Sequence, residues 1–261
     1  MTKPVRRVRG LSRIACLLVA AVTAGCAGGN IGAPNPGLLE KMAAGGAFGA
    51  EQRVRICALL EPGIAESAAR RLIDEAWNDT EARKLGLKLE LVSSTSWKSE
   101  GRDVETIMSS VRKMPVEPGC DRLLAFLGQS DSRQPRLVGG VSLIHGFVVA
   151  SAESMRGLSL TPVEAARHEL YHLVGCGHAQ TMDECYRRIA LAKGQRKGAD
   201  AFFPVFLYLE DEDIERNCGE NLLIDDRGNA NRIARLRGAQ MERQAAGQAP
   251  PVRSCPPTKT S

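Results

Sequence analysis

The residues with the clearest chemical meaning in this sequence form one run, HELYHLVGCGH, at positions 168 to 178. His168 and His172 are four residues apart, so in an α-helix their imidazoles lie on one face and can bind the same metal ion. Glu169 lies about 100° further round the helix, where its carboxylate can reach a water molecule on that metal. The spacing therefore predicts a metal centre with an acid–base group beside it.

A third metal ligand follows from the end of this run. Gly175 can adopt a positive φ, which lets the chain leave the helix sharply and could bring His178 back to the metal. Three neutral histidines leave the fourth position of a tetrahedral zinc ion open for water, as a hydrolytic site requires. We therefore predict a Zn2+ cofactor and hydrolysis of peptide bonds without a covalent intermediate, with Glu169 passing the proton of water to the leaving amine.

The helix that must carry these residues has its own start signals. Thr161 is a suitable N-cap, Pro162 suits the first helical position, and Glu164 completes a capping box with Thr161. The apolar residues of the segment share the side of the helix opposite the two histidines: Val163, Ala166, Leu170, Leu173 and Val174. One face can therefore be buried while the other takes part in the reaction.

Apolar residues elsewhere in the chain alternate between strand-like and helix-like spacing. The pattern predicts strands at residues 54–60, 87–92 and 122–127, helices at residues 65–85 and 103–112, and two strands within residues 137–151 that break near His145 and Gly146. Downstream it predicts a buried or cleft-lining segment at residues 202–209, a solvated acidic face at residues 210–215 and a C-terminal helix at residues 229–244. Such alternation indicates an α+β fold with helices packed on a mixed sheet.

The full pattern HExxHxxGxxH resembles the zinc-binding motif of the metzincin metalloproteases. The resemblance implies that His168, His172 and His178 bind zinc and that Glu169 is the general base. It also implies a zincin fold, in which a twisted mixed β-sheet has an antiparallel edge strand that lines the cleft. One more strand, the active-site helix and a C-terminal helix follow that edge strand.

Residues 121–178 look closest to the archaemetzincins, in the order strand (RLLAFLG), Gly-Gly segment (VGGVSL), strand (GFVVAS) and helix. Metzincins also have a methionine turn beneath the metal, for which Met182 is the candidate, and the later Met241 is less suitable because it lies in a polar helix segment. The chain departs from the archaemetzincin pattern at Ala179, where a cysteine usually follows the third histidine. It also has Met182 before Cys185, the reverse of the usual order.

The first 25 residues resemble a secretory signal peptide. They contain five basic and no acidic residues, and their apolar run, residues 14–22, is too short to span a bilayer. The segment VTAGC ends at Cys26 and resembles the lipobox of bacterial lipoproteins, with a plain cleavable signal as the alternative. With Ala27 after the cysteine, the resemblance implies a lipoprotein of a Gram-negative outer membrane that faces the periplasm.

The remaining chain divides by composition. We predict that residues 26–50 are the lipidated cysteine and a flexible tether rich in Gly, Ala and Pro, that residues 51–245 are the metalloprotease catalytic domain, and that residues 246–261 are an irregular tail. Loss of the signal lowers the formal charge from +5 to 0, and no basic stripe with interleaved aromatic residues is left. We therefore expect no nucleic-acid partner. The expected partners are a peptide or protein substrate and, through the lipid, the membrane, and the protein is expected to be a monomer.

Six cysteines remain after the signal and the lipidated residue: Cys57, Cys120, Cys176, Cys185, Cys218 and Cys255. In an oxidising compartment they can form three disulfides, with fifteen possible pairings. A structural zinc cluster is disfavoured because the sequence has no CxxC pair. We predict a Cys176–Cys185 disulfide that braces the loop before and after His178, with a Cys176 thiolate ligand as the alternative.

Three further residues have a structural and a functional interpretation. We predict that His145 is a solvent-facing turn residue, with a position facing the cleft as the alternative. Tyr171 and Tyr186 are predicted to be packing or surface residues, and stabilisation of an oxyanion is the alternative for either.

The function predicted by these features is that of a zinc-dependent metalloendopeptidase. A zinc amidase acting on the cell wall would use the same ligands and base, and a non-catalytic zinc-binding lipoprotein would use the same ligands. Glu169 argues against the second alternative, because a purely structural zinc site has no use for that carboxylate.

Overall fold

The structure is a computed structural model that describes residues 36–128, 139–151, 160–178, 181–206 and 223–247 of the chain. The helices are α1 (Pro36–Ala44), α2 (Glu66–Ile73), α3 (Val104–Arg112), α4 (Pro162–Leu173), α5 (Met182–Gln195) and α6 (Arg227–Ala245). The strands are β1 (Gln52–Leu60), β2 (Leu87–Ser96), β3 (Arg122–Leu127), β4 (Gly139–Ser142), β5 (His145–Val149), β6 (Val205–Phe206) and β7 (Leu223–Ile224). The signal segment, Cys26, the acidic run and the tail after residue 247 lie outside the described residues.

Strands β1 to β5 form one mixed sheet in the order β2-β1-β3-β5-β4. Neighbouring strands are parallel, except that β4 pairs antiparallel with β5 at one edge. All six residues of β3 are buried, as expected for a parallel strand that is covered on both faces. A second, two-stranded sheet pairs β6 with β7. The α+β class predicted from the sequence is confirmed.

Alternate residues of β1 define the two faces of the sheet. Ile56 and Ala58 belong to a core cluster that contains residues of α2, α4 and α5, whereas Cys57 and Leu59 belong to a cluster with residues of α3 and α6. Successive strand side chains point to opposite faces, so the sheet is sandwiched between these two groups of helices. Helix α4 packs over β4 and β5 at the antiparallel edge, and this places the HELYHLVGCGH run beside that edge.

The prediction of a flexible tether is wrong for residues 36–50. Residues 36–44 form helix α1, Leu39 is fully buried, and Phe48 is 4% exposed. Glu40 forms an ion pair with Lys84, which lies in a 3-10 turn at Glu81–Leu85. The high glycine and alanine content of the segment suggested a flexible chain. Burial of the two large apolar side chains against the core instead stabilises an ordered conformation.

The helix predicted for residues 65–85 is interrupted. Helix α2 runs into a π-helical turn at Asp74–Asn78, and a separate 3-10 turn begins after Thr80. The Thr80 hydroxyl donates to the carbonyl of Trp77 and accepts a hydrogen bond from the amide of Ala82, so it ends one element and caps the next. Among the described residues, no helix is both long and apolar enough to cross a membrane.

The hairpin of β4 and β5 turns at Leu143 and Ile144, slightly before the predicted break. Both side chains are fully buried, and Leu143 has a φ of 60°. A positive φ costs a residue with a Cβ about 1–2 kcal/mol, which burial of the leucine side chain can offset. The turn has neither glycine nor asparagine, the residues that usually indicate a tight hairpin turn in a sequence. Its position was therefore not predicted.

Candidate metal centre and active site

Helix α4 starts where the sequence predicts. The Thr161 hydroxyl accepts a hydrogen bond from the Glu164 amide (3.2 Å), and the Glu164 carboxylate accepts one from the Thr161 amide (2.8 Å). Pro162 occupies the first turn. This capping box fixes the start of the helix and therefore the rotation of its histidine face relative to the sheet.

The helix also ends as predicted. Gly175 has a φ of 114°, and its amide donates to the carbonyl of His172 at 2.9 Å. The Cys176 amide donates to the carbonyl of Tyr171 at 3.0 Å. These bonds satisfy carbonyls at the end of the helix while the chain reverses direction. The reversal brings His178 back over the face that carries His172.

The three motif histidines converge on one point. The Nε2 atom of His168 lies 3.1 Å from that of His172 and 3.1 Å from that of His178, and the last two are 3.0 Å apart. Nitrogen ligands about 2.0–2.1 Å from one zinc ion lie roughly 3.3 Å apart at tetrahedral angles, so this donor set fits zinc closely. The group can hold a metal ion.

Hydrogen bonding fixes the tautomer of His172. Its Nδ1 lies 2.6 Å from the carbonyl oxygen of Cys176, and because a carbonyl only accepts, Nδ1 must donate. In the neutral ring Nε2 then carries the lone pair that faces the other two histidines. Outer hydrogen bonds of this kind orient metal-binding imidazoles and raise their basicity as ligands.

Burial keeps the two helical histidines in the neutral form that metal binding requires. Desolvation lowers the pKa of His172 to about 3, although the Cys176 carbonyl opposes the change. Desolvation, followed by the nearby His178, lowers the pKa of His168 to about 4. Near pH 7 both imidazoles are therefore uncharged, as metal binding requires.

The predicted disulfide between Cys176 and Cys185 is confirmed. It joins the loop between His172 and His178 to helix α5, and both cysteines are buried. Cys176 contributes its carbonyl to His172, and the thiolate-ligand alternative is wrong because its sulfur is in the disulfide. A second disulfide, Cys57–Cys120, joins β1 to the residues before β3. Cys218 and Cys255 lie outside the described residues.

We predict that the Cys176→Ala, Cys185→Ala double variant binds zinc about 10- to 100-fold more weakly, because the carbonyl that orients His172 loses its brace. The control is Cys57→Ala, Cys120→Ala. Chain entropy assigns the long-range disulfide, with a separation of 63 residues, about 4 kcal/mol and the local one, with a separation of 9, about 2.5 kcal/mol. The control should therefore lose more thermal stability and keep its zinc affinity. Equal zinc affinities in a chelator competition titration would contradict this role.

Glu169, the residue after His168 in helix α4, is fully buried. Its side chain lies against the edge strand β4. The approach is so close that a Cβ added to Gly139 would be only 2.8 Å from the Glu169 carboxyl carbon and from Oε1. The structure thus places the predicted base between helix α4 and β4. The sequence indicated Gly139 only as part of the Gly-Gly segment, and its contact with Glu169 was not predicted.

Met182 lies at the start of helix α5, where Thr181 caps the helix. The backbone at Met182 is helical, because the capped helix starts at that residue. Its side chain is buried in the cluster that contains Cys185 and Tyr186. A position of this side chain beneath a metal stays a prediction. Met241 lies in helix α6.

His145 is neither a turn residue nor a residue of the cleft, so both interpretations of it are wrong. It is the first residue of β5, is 1% exposed, and its Nε2 donates to the carbonyl of Met114 at 2.8 Å. Desolvation lowers its pKa to about 4. Tyr171 and Tyr186 are buried in the core, and Tyr171 packs against Trp77 with ring centroids 5.0 Å apart, which confirms the packing interpretation.

Arg122 supports the end of helix α4, a role that sequence patterns did not indicate. This fully buried side chain donates to the carbonyl of Leu173 at 2.7 Å, of Phe203 at 2.9 Å and of Pro204 at 3.1 Å. A cation at a helix C-terminus is favoured by the helix dipole. The one available signal was an arginine inside the apolar strand RLLAFL.

Comparison with known proteins gives no family model and no curated protein that this chain matches.

Proposed function

We propose that this protein is a zinc-dependent metalloendopeptidase. The observation that carries the proposal is the convergence of three histidine Nε2 atoms within 3.1 Å of one another. Glu169, the residue after His168 in the same helix, supplies a buried carboxylate. A set of three imidazole ligands would leave the fourth position of a tetrahedral zinc ion to water, which favours a catalytic over a structural zinc site. His168 and His178 are only partly buried, so a substrate can approach from their side.

The chain supplies the proton transfers. When bound, zinc lowers the pKa of water towards neutrality and polarises the scissile carbonyl. Glu169 then accepts a proton from the attacking water and delivers it to the leaving amine. His172, held by the Cys176 carbonyl, keeps its ring orientation through both transfers. Burial of Glu169 removes competing bulk water from the carboxylate and so favours transfer within the site.

The arrangement of elements supports the resemblance to metzincins. The antiparallel edge strand β4 is followed by β5 and then by the active-site helix α4, which is the order that the resemblance implies. The two disulfides are typical of an oxidising compartment. They support our further proposal that the chain is exported and anchored in the bacterial envelope through Cys26.

The test is cleavage of a complex peptide mixture by the purified mature chain, with cleavage sites identified by mass spectrometry. We expect a defined set of cut sites, no cleavage after chelation, and recovery when about one equivalent of zinc is restored. Cleavage that persists after complete removal of metal would refute the proposal. Loss of all peptide cleavage together with zinc-dependent release of cell-wall fragments would assign the protein to the amidases instead.

A further inference from the structure

The Glu169 carboxylate occupies space that exists only because β4 carries a glycine. A methyl group on Gly139 would lie 2.8 Å from the carboxyl carbon and from Oε1 of Glu169, and it would also collide with Cγ. Ordinary contacts of a Cβ atom are 3.4 Å or longer. The collision with Cγ is important because that atom is not the free end of the side chain, so a small shift of the carboxylate does not relieve it.

We propose that Gly139 is a positioning residue, whose missing side chain lets the carboxylate of Glu169 take its buried place against β4. Glu169 lies on the helix that carries His168 and His172. The catalytic meaning of this inference rests on the proposed function, whereas the contact itself does not. Glu169 is 0% exposed, so a displaced side chain has no solvent to move into. Rotation away from Gly139 would carry the carboxylate away from its present place and would force neighbouring core atoms to move.

Backbone conformation does not require a glycine at this position. Neither Gly139 nor the next residue, Gly140, has a positive φ, so alanine is allowed at both. Glycine is unfavourable within a strand, and replacement by alanine at a compatible backbone position normally stabilises a protein through the unfolded state. A destabilising Gly139→Ala substitution would therefore have to result from the contact with Glu169.

The first test is a thermal-stability cycle on the metal-free protein. Gly139→Ala should lower the Tm by at least about 3 °C in the wild-type background, as overpacking does. In a Glu169→Ala background the same substitution should have no such effect, because the Cγ and carboxylate that it would strike are gone. This readout needs neither zinc nor substrate.

Gly140→Ala is the matched control. Its Cβ would lie 3.0 Å from the Phe147 ring and 3.7 Å from the Met108 side chain, on the face of β4 opposite to Gly139. It should therefore change the Tm by the same amount whether residue 169 is glutamate or alanine.

The second test separates positioning from general structural damage. Gly139→Ala should keep about one equivalent of zinc and a KM within about threefold of wild type, while kcat falls at least tenfold because the base is displaced. An equal fall of Tm in the wild-type and Glu169→Ala backgrounds, or a kcat within twofold of wild type, would overturn the proposal. If the wild-type protein had no peptidase activity, only the proposed function would be rejected. The stability cycle would still test whether Gly139 makes room for the Glu169 side chain.

Discussion

Replacing Glu169 by glutamine should leave zinc bound and reduce peptide hydrolysis by about 10²- to 10⁴-fold or more. Glutamine has nearly the same shape, so it fits the fully buried place of Glu169 against Gly139. It has no basic oxygen, so it neither accepts the proton of water nor protonates the leaving amine. Because one group performs both transfers, the loss should lie at or above the upper end of that range.

The matched control is Glu164→Gln on the same helix. Glu164 completes the capping box with Thr161, and glutamine can also complete one. The control should therefore keep its helix, its zinc and its activity. Peptide cleavage by Glu169→Gln within about threefold of the wild-type rate, at full zinc content, would rule out a general base at this position.

Local signals made the helix that carries His168 and His172 predictable from sequence. The capping box of Thr161 and Glu164 and the positive φ of Gly175 involve residues within one turn of the helix ends. Such contacts depend on sequence neighbours alone. The two histidines then follow from helical spacing, and the return of His178 follows from the turn at Gly175.

Long-range packing accounts for what the sequence did not predict. Leu39 packs with core residues that are distant in the chain, and the glycines and alanines of the surrounding segment gave it no clear helical pattern. His145 looked like a turn residue beside Gly146, but the real turn is at Leu143, whose φ of 60° is uncommon for a residue with a bulky side chain. The contact of Gly139 with Glu169 joins two elements across the sheet edge, which no spacing rule detects.

The two disulfides also differ in this way, because one pairing depends on local sequence and the other on long-range strand order. Cys176 and Cys185 lie on either side of His178 in the sequence, so local reasoning predicted their pairing. Cys57 lies on β1, and its partner Cys120 precedes β3. These strands are neighbours in the sheet only because the chain crosses over between them, and the pairing therefore depends on strand order, which was not predicted.

Replacing His168 and His172 together by alanine should abolish zinc binding. After dialysis we expect about one equivalent of zinc on the wild-type protein and none on the double variant, since a single remaining histidine is a weak ligand. Zinc at about 1,000 times its Kd should stabilise the wild type by roughly 4 kcal/mol. The double variant should show no rise in Tm when zinc is added, and no peptidase activity.

The control for this variant is His145→Gln, at the only other histidine of the chain. Glutamine can still donate to the Met114 carbonyl that His145 contacts, so the fold and the zinc content should be retained. A third variant, His178→Ala, tests whether the zinc site has three histidine ligands or only two. With three ligands in the wild type, zinc should dissociate far more readily from this variant, although the two helical imidazoles still converge within 3.1 Å. Unchanged zinc content in the His168→Ala, His172→Ala protein would place the metal elsewhere, and unchanged affinity in His178→Ala would remove that residue from the ligand set.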